Sequence, residues 1–462
     1  MAALMHIMNP MFKQMCLLDE QPVRQAIQRL ETSRIQIAFV LDAADRLVGV
    51  VTNGDIRRFL LEGGQIADSV RLCMNRSFRS VPEDSSREDL LKLLDLGLNA
   101  IPRLDAAGRL IDVVTPSSLP TVPEAPVLVR SRAPARVSFG GGGSDVTYFF
   151  VDQPGAVLST TISLFCHVTL IPRNDTEIHL HSEDIGIVQR YVSIDDLQIR
   201  LEQNSLLAAT VSVIRPSFGF ELYARSDFPI GSGLGGSSAV TTAVVSAFNE
   251  LRLDRWTPYE IAEVSFQAER LCFGVAGGWQ DQYASAFGGF NLIEFDGTRN
   301  LVHPIRLDEA IVDELEECLI LCDTEVTHES DAIHRAQRVD FDKGKIATDL
   351  KDAVDVCRKM HHHLIRGELA EFGRSLHAGW QLKRALTSTV SNARIDEVYS
   401  AAMSAGASGG KLLGAGGGGF FLFFVEPRFR RAVTESLKSA GCRLSAFRFE
   451  SRGVVSWRTK LI

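Results

Sequence analysis

The stretch Pro229-Ile-Gly-Ser-Gly-Leu-Gly-Gly-Ser-Ser-Ala239 decides how the middle of this chain must fold. It follows a strand-like segment and runs directly into the apolar residues 240–251, which we expect to be helical. A glycine-rich loop before a helix leaves backbone N–H groups and the positive end of the helix dipole free to bind an anion. The stretch therefore predicts a phosphate-binding loop, and its candidate residues are Gly231, Ser232, Gly233, Leu234, Gly235, Gly236, Ser237 and Ser238.

Two other phosphate-binding patterns can be tested against this loop. The P-loop pattern requires a lysine, and the loop contains none. Gly231, Gly233 and Gly236 formally satisfy the dinucleotide fingerprint of an oxidoreductase, which requires a second apolar strand after the helix. Instead, Thr257-Pro-Tyr-Glu260 forms a capping box with proline at the first helical position and predicts a helix over 257–272. A helix that follows a helix disfavours the oxidoreductase interpretation.

Two further glycine clusters border regular structure. Lys411-Leu-Leu-Gly-Ala-Gly-Gly-Gly-Gly-Phe420 precedes the apolar residues 420–425, a predicted buried strand. Because glycine is costly in backbone entropy, we expect a ligand to approach this backbone closely, the alternative being a tight turn with bulges. The first cluster ends in Ser144 and Asp145, which suit sugar hydroxyls. Arg136 before it suits a negative charge, or is a solvated strand residue.

The N-terminal region contains an internal repeat of helix, strand, turn, strand and helix. Its first copy has a helix over 23–30, strands over 35–41 and 47–52, and a second helix from Asp55. Its second copy has a helix over 87–96 and strands over 100–104 and 110–115. Such a repeat implies two similar units that pack against each other. The proline-rich residues 119–129 predict a domain boundary.

The composition limits the classes of function. A length of 462 residues with 45% hydrophobic and 23% charged content predicts a globular protein of several domains. The net charge of −8 argues against a nucleic-acid partner. The eight cysteines contain no C-x-x-C pair and predict neither a zinc site nor a disulfide framework. No apolar run approaches the roughly 18 residues of a membrane span, so we expect a cytoplasmic protein without a membrane partner.

Together, the three glycine clusters in this order resemble the three signature motifs of the GHMP kinases over residues 130–462. Arg132-Ala-Pro-Ala-Arg136, the Gly-Gly-Gly-Ser-Asp145 turn and the residues 278–291 are most similar to the D-glycero-D-manno-heptose 7-phosphate kinases. The resemblance implies a two-lobed α+β fold, with an N-terminal lobe over 130–320 and a C-terminal lobe over 321–462. It also implies ATP and Mg²⁺ as cofactors, and transfer of a phosphoryl group to the anomeric hydroxyl of the heptose 7-phosphate.

The resemblance also implies roles for individual residues. Glu269 joins Ser238 in holding Mg²⁺, Asp281 orients or deprotonates the sugar hydroxyl, and Arg136 keeps Asp281 ionised. On spacing alone, Glu269 could equally be a solvated helix residue and Asp281 a helix cap. Departures from the family are Gly236, where relatives often carry serine, and Trp279, which lines the sugar pocket or belongs to the core. The implied substrate-binding residues are Gly142, Gly143, Ser144, Asp145, Gly416 and Gly417. Candidates for the substrate's own phosphate are Arg173, Lys383 and Arg384.

Residues 1–120 resemble a pair of CBS motifs, joined to the kinase part by a linker over 121–129. In that family a threonine and an aspartate hold the ribose of a regulatory adenine nucleotide, which implies such roles for Thr52 and Asp55. The second copy reads Thr115-Pro-Ser-Ser118 and lacks the aspartate, so only one nucleotide pocket is expected to be intact. A structural or dimerising module without a ligand is the alternative, and CBS pairs imply a homodimer.

Three interpretations stay open beside the main one. In the first, the substrate is a free sugar such as fucose. In the second, the kinase lobes are degenerate and the protein is a nucleotide sensor. The oxidoreductase is the third.

Two histidine patterns do not predict a metal site. His361, His362 and His363 are consecutive and point in different directions on a helix. His334 stands at the wrong interval from His328 for the H-E-x-x-H motif.

Overall fold

The computed structural model describes residues 13–32, 35–119, 127–201, 205–326, 330–344 and 346–460. The chain divides into two compact units, Met1–Ala125 and Pro126–Ile462. Most of the predicted linker, 121–126, lies outside the described residues. Its last three residues already belong to the first strand of the second unit, which begins at Val127, so the linker does not extend to residue 129 as predicted.

The first unit contains two copies of one motif, each a three-stranded sheet with flanking helices. The elements of the first copy are β1 (Cys16–Leu18), α1 (Val23–Thr32), β2 (Ile37–Leu41), β3 (Leu47–Thr52) and α2 (Asn53–Leu61). Those of the second are β4 (Val81–Pro82), α3 (Arg87–Asp95), β5 (Ile101–Leu104) and β6 (Leu110–Val114). In both sheets the first strand is parallel to the second, which is antiparallel to the third.

The repeat extends to individual hydrogen bonds. The side chain of Asp42 accepts hydrogen bonds from the backbone N–H groups two and four residues later, and Asp105 does the same in the second copy. These carboxylates close the turns between the two antiparallel strands of each copy. The internal repeat predicted from the sequence is therefore confirmed.

The second unit is a mixed α and β structure built on two sheets. Its strands are β7 (Val127–Gly140), β8 (Gly155–Pro172), β9 (Ile178–Ser182), β10 (Ile187–Tyr191), β11 (Phe220–Ser226), β12 (Asn291–Phe295), β13 (Asn300–Pro304), β14 (Leu319–Asp323), β15 (Gly409–Leu412), β16 (Phe420–Phe424), β17 (Arg443–Ser445) and β18 (Val455–Lys460). Its helices are α4 (Thr147–Phe150), α5 (Ile194–Ile199), α6 (Leu206–Ile214), α7 (Gly236–Asn249), α8 (Pro258–Phe266), α9 (Gln280–Phe287), α10 (Glu309–Cys318), α11 (Ser330–Asp342), α12 (Ala347–Ile365), α13 (Leu369–Leu386), α14 (Ala393–Ser404) and α15 (Arg430–Ser439).

The larger sheet has the order β10-β9-β11-β8-β12-β13, and β7 pairs with both β8 and β18. The smaller sheet has the order β15-β16-β14-β17. β18, at the C-terminal end of the described chain, runs antiparallel to β7 and so covers an edge of the larger sheet that would otherwise be unpaired. The large sheet is thus completed by residues that the sequence analysis assigned to the C-terminal lobe. The mixed fold with two sheets agrees with the α+β prediction.

Apolar patterning explains where the cores lie. Every residue of β16 is buried, as the uninterrupted apolar run predicted. One core packs α7 and neighbouring helices against the large sheet, with Phe139, Val244 and Phe295 fully buried. A second core surrounds the small sheet and contains Trp380 and Phe421.

The helix over 257–272 begins as predicted and changes its character before it ends. Thr257 and Glu260 form the capping box, and α8 starts at Pro258. The segment Gln267–Cys272 then continues as a π-helix, in which the N–H of Phe273 donates to the carbonyl of Ala268 at 2.9 Å. Such wide turns are frequent at functional sites, and this one carries Glu269.

Candidate active site

The glycine loop before α7 has the backbone geometry of an anion site. Gly231, Gly233 and Gly235 have φ values of 76°, 76° and 75°, in the left-handed region that favours glycine. A loop whose alternate residues adopt this conformation points successive N–H groups towards one side. No side chain in the described part of the chain caps the N-terminus of α7, so its first N–H groups are available for a ligand.

Glu269 lies directly behind this loop and is fully buried. It accepts a short hydrogen bond from Ser237 and a bond of 2.6 Å from the hydroxyl of Ser238. Gln282 donates to it at 2.6 Å and Arg270 at 3.1 Å. The structure therefore brings together Ser238 and Glu269, which the sequence analysis proposed as metal-binding residues.

Asp281 stands in the first turn of α9 and is held by Arg136 from β7. The Arg136 Nε and Nη2 atoms donate to the two carboxylate oxygens of Asp281, each at 2.8 Å. Burial alone would raise the pKa of Asp281. The Arg136 guanidinium, with smaller contributions from Arg270 and His334, reverses this effect and holds the pKa below its ordinary value. Asp281 is thus an ionised carboxylate in a partly buried position.

Asp145 lies beside this pair at the end of the first glycine turn. Its carboxylate accepts hydrogen bonds from the backbone N–H groups of Gly143 at 3.0 Å and Gln280 at 3.1 Å. Burial and then the charge of Asp281 raise its pKa. Gly278 is required here, because a Cβ atom at this position would lie 1.9 Å from Asp145 Oδ2.

These groups surround a cavity of about 590 Å³ in the second unit. From the first glycine cluster it is lined by Arg136, Gly142, Gly143 and Asp145, and Asp281 faces it from α9. From the loop before α7 it is lined by Gly231, Ser232, Gly233, Gly235, Gly236 and Ser237. The three glycine clusters predicted to carry the chemistry therefore contribute to one cavity, the third of them through Gly414 and Ala415.

Several predicted binding residues do not line the cavity. Ser144 is fully buried, with its hydroxyl 2.8 Å from the carbonyl of Gly141 and accepting from the N–H of Ala156, so it supports the turn. Leu234 is fully buried in the core beneath the loop. Ser238 and Glu269 lie just behind the cavity wall.

Close backbone packing accounts for several glycines of the third cluster, and the expected approach of a ligand to this backbone stays a prediction, with Gly414 in the cavity wall. A Cβ atom on Gly416 would lie 2.9 Å from Val390 Cα, and the N–H of Gly417 donates to the Val390 carbonyl at 2.9 Å. A Cβ atom on Gly414 would lie 2.6 Å from Gly233 Cα. The third cluster thus packs against the loop before α7 and fixes its position.

Sequence reasoning missed several polar residues that line the cavity, namely Ser138, Arg270, Gln280, His334, Gln337 and Lys411. Arg270 follows Glu269 directly, and its position on a π-helix turns it towards the cavity, which no helical periodicity indicates. His334 is partly buried, and desolvation together with the charge of Arg270 lowers its pKa to about 4. It is therefore a neutral imidazole at physiological pH.

Of the three candidates for a substrate phosphate, only Lys383 lines the cavity. Arg173 bonds to Asp175 and Glu221, and Arg384 pairs with Asp396 at 2.8 Å.

Trp279 does not line the cavity either. It stacks on Phe266 with ring centroids 3.5 Å apart and belongs to the packing around the site.

In the first unit, Thr52 and Asp55 form a capping box at the start of α2. Asp55 Oδ2 accepts from the Thr52 hydroxyl at 2.6 Å, and in the second copy the hydroxyls of Thr115 and Ser118 lie 2.7 Å apart in the equivalent place. A cavity of about 600 Å³ lies between the two copies and is lined by Thr52 and Thr115, but not by Asp55.

Comparison with known proteins agrees with this organisation. Residues 204–289 match the N-terminal domain of the GHMP kinases, residues 360–441 match their C-terminal domain, and residues 5–62 and 67–119 each match a CBS domain. The chain is 34% identical over 339 residues to the D-glycero-alpha-D-manno-heptose 7-phosphate kinase of Campylobacter jejuni, which covers 71% of this chain and 99% of that protein. The chain therefore belongs to the GHMP kinase family, and kinases of this family use ATP.

Two further relatives are informative. The crystal structure of a D-glycero-D-manno-heptose 1-phosphate kinase from Bacteroides thetaiotaomicron aligns with a TM-score of 0.59 at 30% identity, over 71% of this chain and 98% of that one. The L-fucokinase/L-fucose-1-P guanylyltransferase of Bacteroides fragilis is 25% identical over 71% of this chain, which spans only 38% of that protein. Among the described residues, no helix has the length and apolar character needed to cross a bilayer.

Proposed function

We propose that this chain transfers the γ-phosphoryl group of ATP to the anomeric hydroxyl of D-glycero-D-manno-heptose 7-phosphate, giving the 1,7-bisphosphate and ADP. The observation that carries the proposal is the ionised carboxylate of Asp281, held by Arg136, in the same cavity as the uncapped N-terminus of α7. The loop side of this cavity suits the phosphates of a nucleotide, and Asp281 beside it offers a base for a hydroxyl.

The residues around the cavity suit the needs of phosphoryl transfer, which are positioning and charge stabilisation. The N–H groups of the loop before α7 bind the phosphates, and Asp281 accepts the proton of the sugar hydroxyl as its oxygen attacks the γ-phosphorus. The bond from that phosphorus to the β-phosphate oxygen breaks, and ADP leaves. Arg136 and Arg270 offset the negative charge of the transferring group.

The residues behind the loop fit a magnesium ion. Glu269 and the Ser238 hydroxyl offer hard oxygen ligands, and the amide oxygen of Gln282 beside them is buried without a hydrogen-bond partner in the described part of the structure. One carboxylate is sufficient, because Mg²⁺ completes its coordination with water and substrate phosphates. When bound, the ion neutralises charge on the ATP phosphates.

Apolar side chains in the cavity wall suit an adenine ring. Ile185, Ile187, Phe228 and Ile230 line the cavity, and a Cβ atom on Gly236 at the start of α7 would lie 3.0 Å from the Phe228 ring. An adenine packed against them would place the phosphates at the N-terminus of α7.

The identity of the sugar is proposed from the relatives. The two heptose kinase relatives share 34% and 30% identity with this chain, against 25% for the fucokinase relative, and their names place the substrate phosphate at different positions. Cationic residues on the cavity wall also favour a phosphorylated sugar over a free one. A fucose-type free sugar is the second candidate.

The test is ADP release with MgATP across heptose 7-phosphate, mannose 6-phosphate, fucose and galactose. We expect turnover on heptose 7-phosphate, reduced at least about 100-fold by Asp281→Asn. Turnover on fucose alone would keep the mechanism and replace the substrate. No turnover on any sugar would reject the proposed activity and favour a nucleotide sensor with degenerate kinase lobes.

We also propose that the CBS pair binds one adenine nucleotide in the cavity beside Thr52, with Asp55 fixing the Thr52 hydroxyl. Calorimetric titration with AMP and ATP tests this. Asp55→Ala should abolish binding. Asp89→Ala is the matched control, because Asp89 accepts a hydrogen bond from Ser86, the N-cap of α3, and it should leave binding unchanged. Equal binding by both variants would reject the site.

We also propose that the protein forms a homodimer through the CBS pair. Light scattering at micromolar concentration tests this, and a monomer would contradict it.

A further inference from the structure

Lys411 on β15 is a buried cation that the proposed mechanism does not use. It faces the active-site cavity with 5% of its surface exposed. Its ammonium group makes no hydrogen bond or ion pair within the described residues, and only longer-range charges act on it. A buried charge without a partner is unfavourable, so an anion from outside the protein is the natural partner.

Lys383 also lines the cavity, but its ammonium group is bonded to the protein backbone. Its Nζ atom donates to the backbone carbonyls of Leu412 at 2.9 Å and Gly414 at 2.5 Å. These bonds hold the third glycine cluster in place. Two of the three donors of Lys383 are therefore occupied by the protein, whereas those of Lys411 remain for a ligand.

The surroundings of Lys411 place it on the side of the cavity that contains Asp145. The groups that interact electrostatically with Lys411 are Arg136, the Cys357 thiol and Asp145. Cys357 packs against the first glycine turn, since a Cβ atom on Gly141 would lie 3.1 Å from its Sγ atom. Lys411 thus belongs with the turn that ends in Asp145, whereas Ser237, Ser238 and Glu269 lie at the proposed position of the nucleotide phosphates.

A second observation points to a ligand at the same place. Ser138 Oγ and Gln280 Oε1 are buried and have no hydrogen-bond partner in the described part of the chain, and both residues line the cavity. Both side chains lie beside Gly142, where a Cβ atom would be 3.8 Å from Ser138 Oγ and 3.7 Å from Gln280 Nε2. Buried polar groups are normally satisfied, so these atoms have the chemistry to bond to sugar hydroxyls.

We infer that Lys411 binds the phosphate group that the sugar already carries, beside sugar hydroxyls bound by Ser138 and Gln280. Lys411 is then the residue that selects a sugar phosphate over the corresponding free sugar. This inference rests on the proposed kinase activity and adds the basis of its substrate choice.

The experiment compares Lys411→Met with the wild type on D-glycero-D-manno-heptose 7-phosphate and on unphosphorylated D-glycero-D-manno-heptose at saturating MgATP. We expect kcat/KM to fall roughly 10- to 100-fold for the phosphorylated sugar and to stay within about threefold for the free sugar. Lys411→Arg should keep part of the preference, because it keeps the charge. Lys351→Met, an exposed lysine on α12, is the matched control and should change neither value.

Other outcomes separate the explanations. Equal losses of kcat/KM on both sugars, or an increased KM for ATP, would overturn the inference. Lys411 would then bind the nucleotide or stabilise the folded protein. A lower unfolding temperature of Lys411→Met would identify the role in stability. If the wild type turns over neither sugar, the proposed activity fails. Calorimetry with heptose 7-phosphate and with inorganic phosphate then tests the role of Lys411 separately from catalysis. The inference is overturned if the wild type binds neither compound, or if Lys411→Met binds them as tightly as the wild type.

Discussion

The guanidinium of Arg136 forms two parallel hydrogen bonds of 2.8 Å each with the carboxylate of Asp281, a residue 145 positions further along the chain. This contact joins β7 of the large sheet to the first turn of α9. It explains why a carboxylate partly buried in the cavity remains charged, because a planar guanidinium matches both oxygens at once.

Arg136→Lys should lower kcat by about 10- to 100-fold, because a lysine offers a single point of contact to Asp281. Without the bidentate pair, the effect of burial is offset less well, so the pKa of Asp281 rises. The acidic limb of the pH profile of kcat should therefore move to higher pH. Arg130→Lys, on the exposed face of the same strand, serves as the control. An unchanged acidic limb would contradict the proposed role of the pair.

Ser238→Ala should raise the Mg²⁺ concentration required for half-maximal activity by roughly tenfold, because it removes a hydroxyl from the proposed metal site. Glu269→Gln should have a larger effect. Ser246→Ala, a buried serine on the same helix, should leave the requirement unchanged. The measurement is ADP release against Mg²⁺ at fixed ATP, and identical curves for Ser238→Ala and Ser246→Ala would exclude Ser238 from the site.

Gly278→Ala should displace the carboxylate of Asp145, since the new Cβ atom would lie 1.9 Å from Asp145 Oδ2. Misplacement of a group that positions the substrate costs about 100-fold in activity, and we expect a loss of this order in kcat/KM for the sugar. Gly379→Ala on α13 should be neutral, because among the described residues its Cβ atom would meet only a Val356 methyl within 4 Å, at an ordinary contact distance of 3.8 Å. Full activity of Gly278→Ala would show that Asp145 does not touch the substrate.

The affinity for the sugar phosphate should fall above about pH 8. Burial and the charge of Arg136 lower the pKa of Lys411 to about 8, with Asp145 and Cys357 acting in the opposite direction and Lys383 close by. Lys411 is protonated below this pH, where a phosphate is already largely a dianion since its second pKa is about 6. As the pH rises through about 8, the ammonium loses its charge and KM for the sugar phosphate should increase. Lys411→Arg should abolish that increase, and a KM independent of pH in the wild type would contradict the assignment.

Much of this architecture follows from local sequence signals. The capping box at Thr257, the buried strand β16 and the repeat in the first unit are each encoded within a few residues, and all are present in the structure. The loop before α7 was recognisable because its glycines are needed for positive φ values.

Other features depend on contacts between distant segments, which no local pattern reveals. Ser144 resembles a substrate ligand in the sequence, yet the fold places the carbonyl of Gly141 and the N–H of Ala156 against its hydroxyl. The glycines of the third cluster are required by the approach of Gly233 and Val390. Arg270 reaches the cavity because a π-helix interrupts the helical period. Lys411 lines the cavity from β15, a strand far along the chain from the first two glycine clusters.

The most direct test of the central proposal is the structure of the product made from heptose 7-phosphate and MgATP, determined by phosphorus and proton NMR. We predict a second phosphate coupled to the anomeric proton, formed by the wild type and absent with Asp281→Asn. A phosphate on any other oxygen, or the same product formed at an undiminished rate by Asp281→Asn, would contradict the assignment of Asp281 as the base for the anomeric hydroxyl.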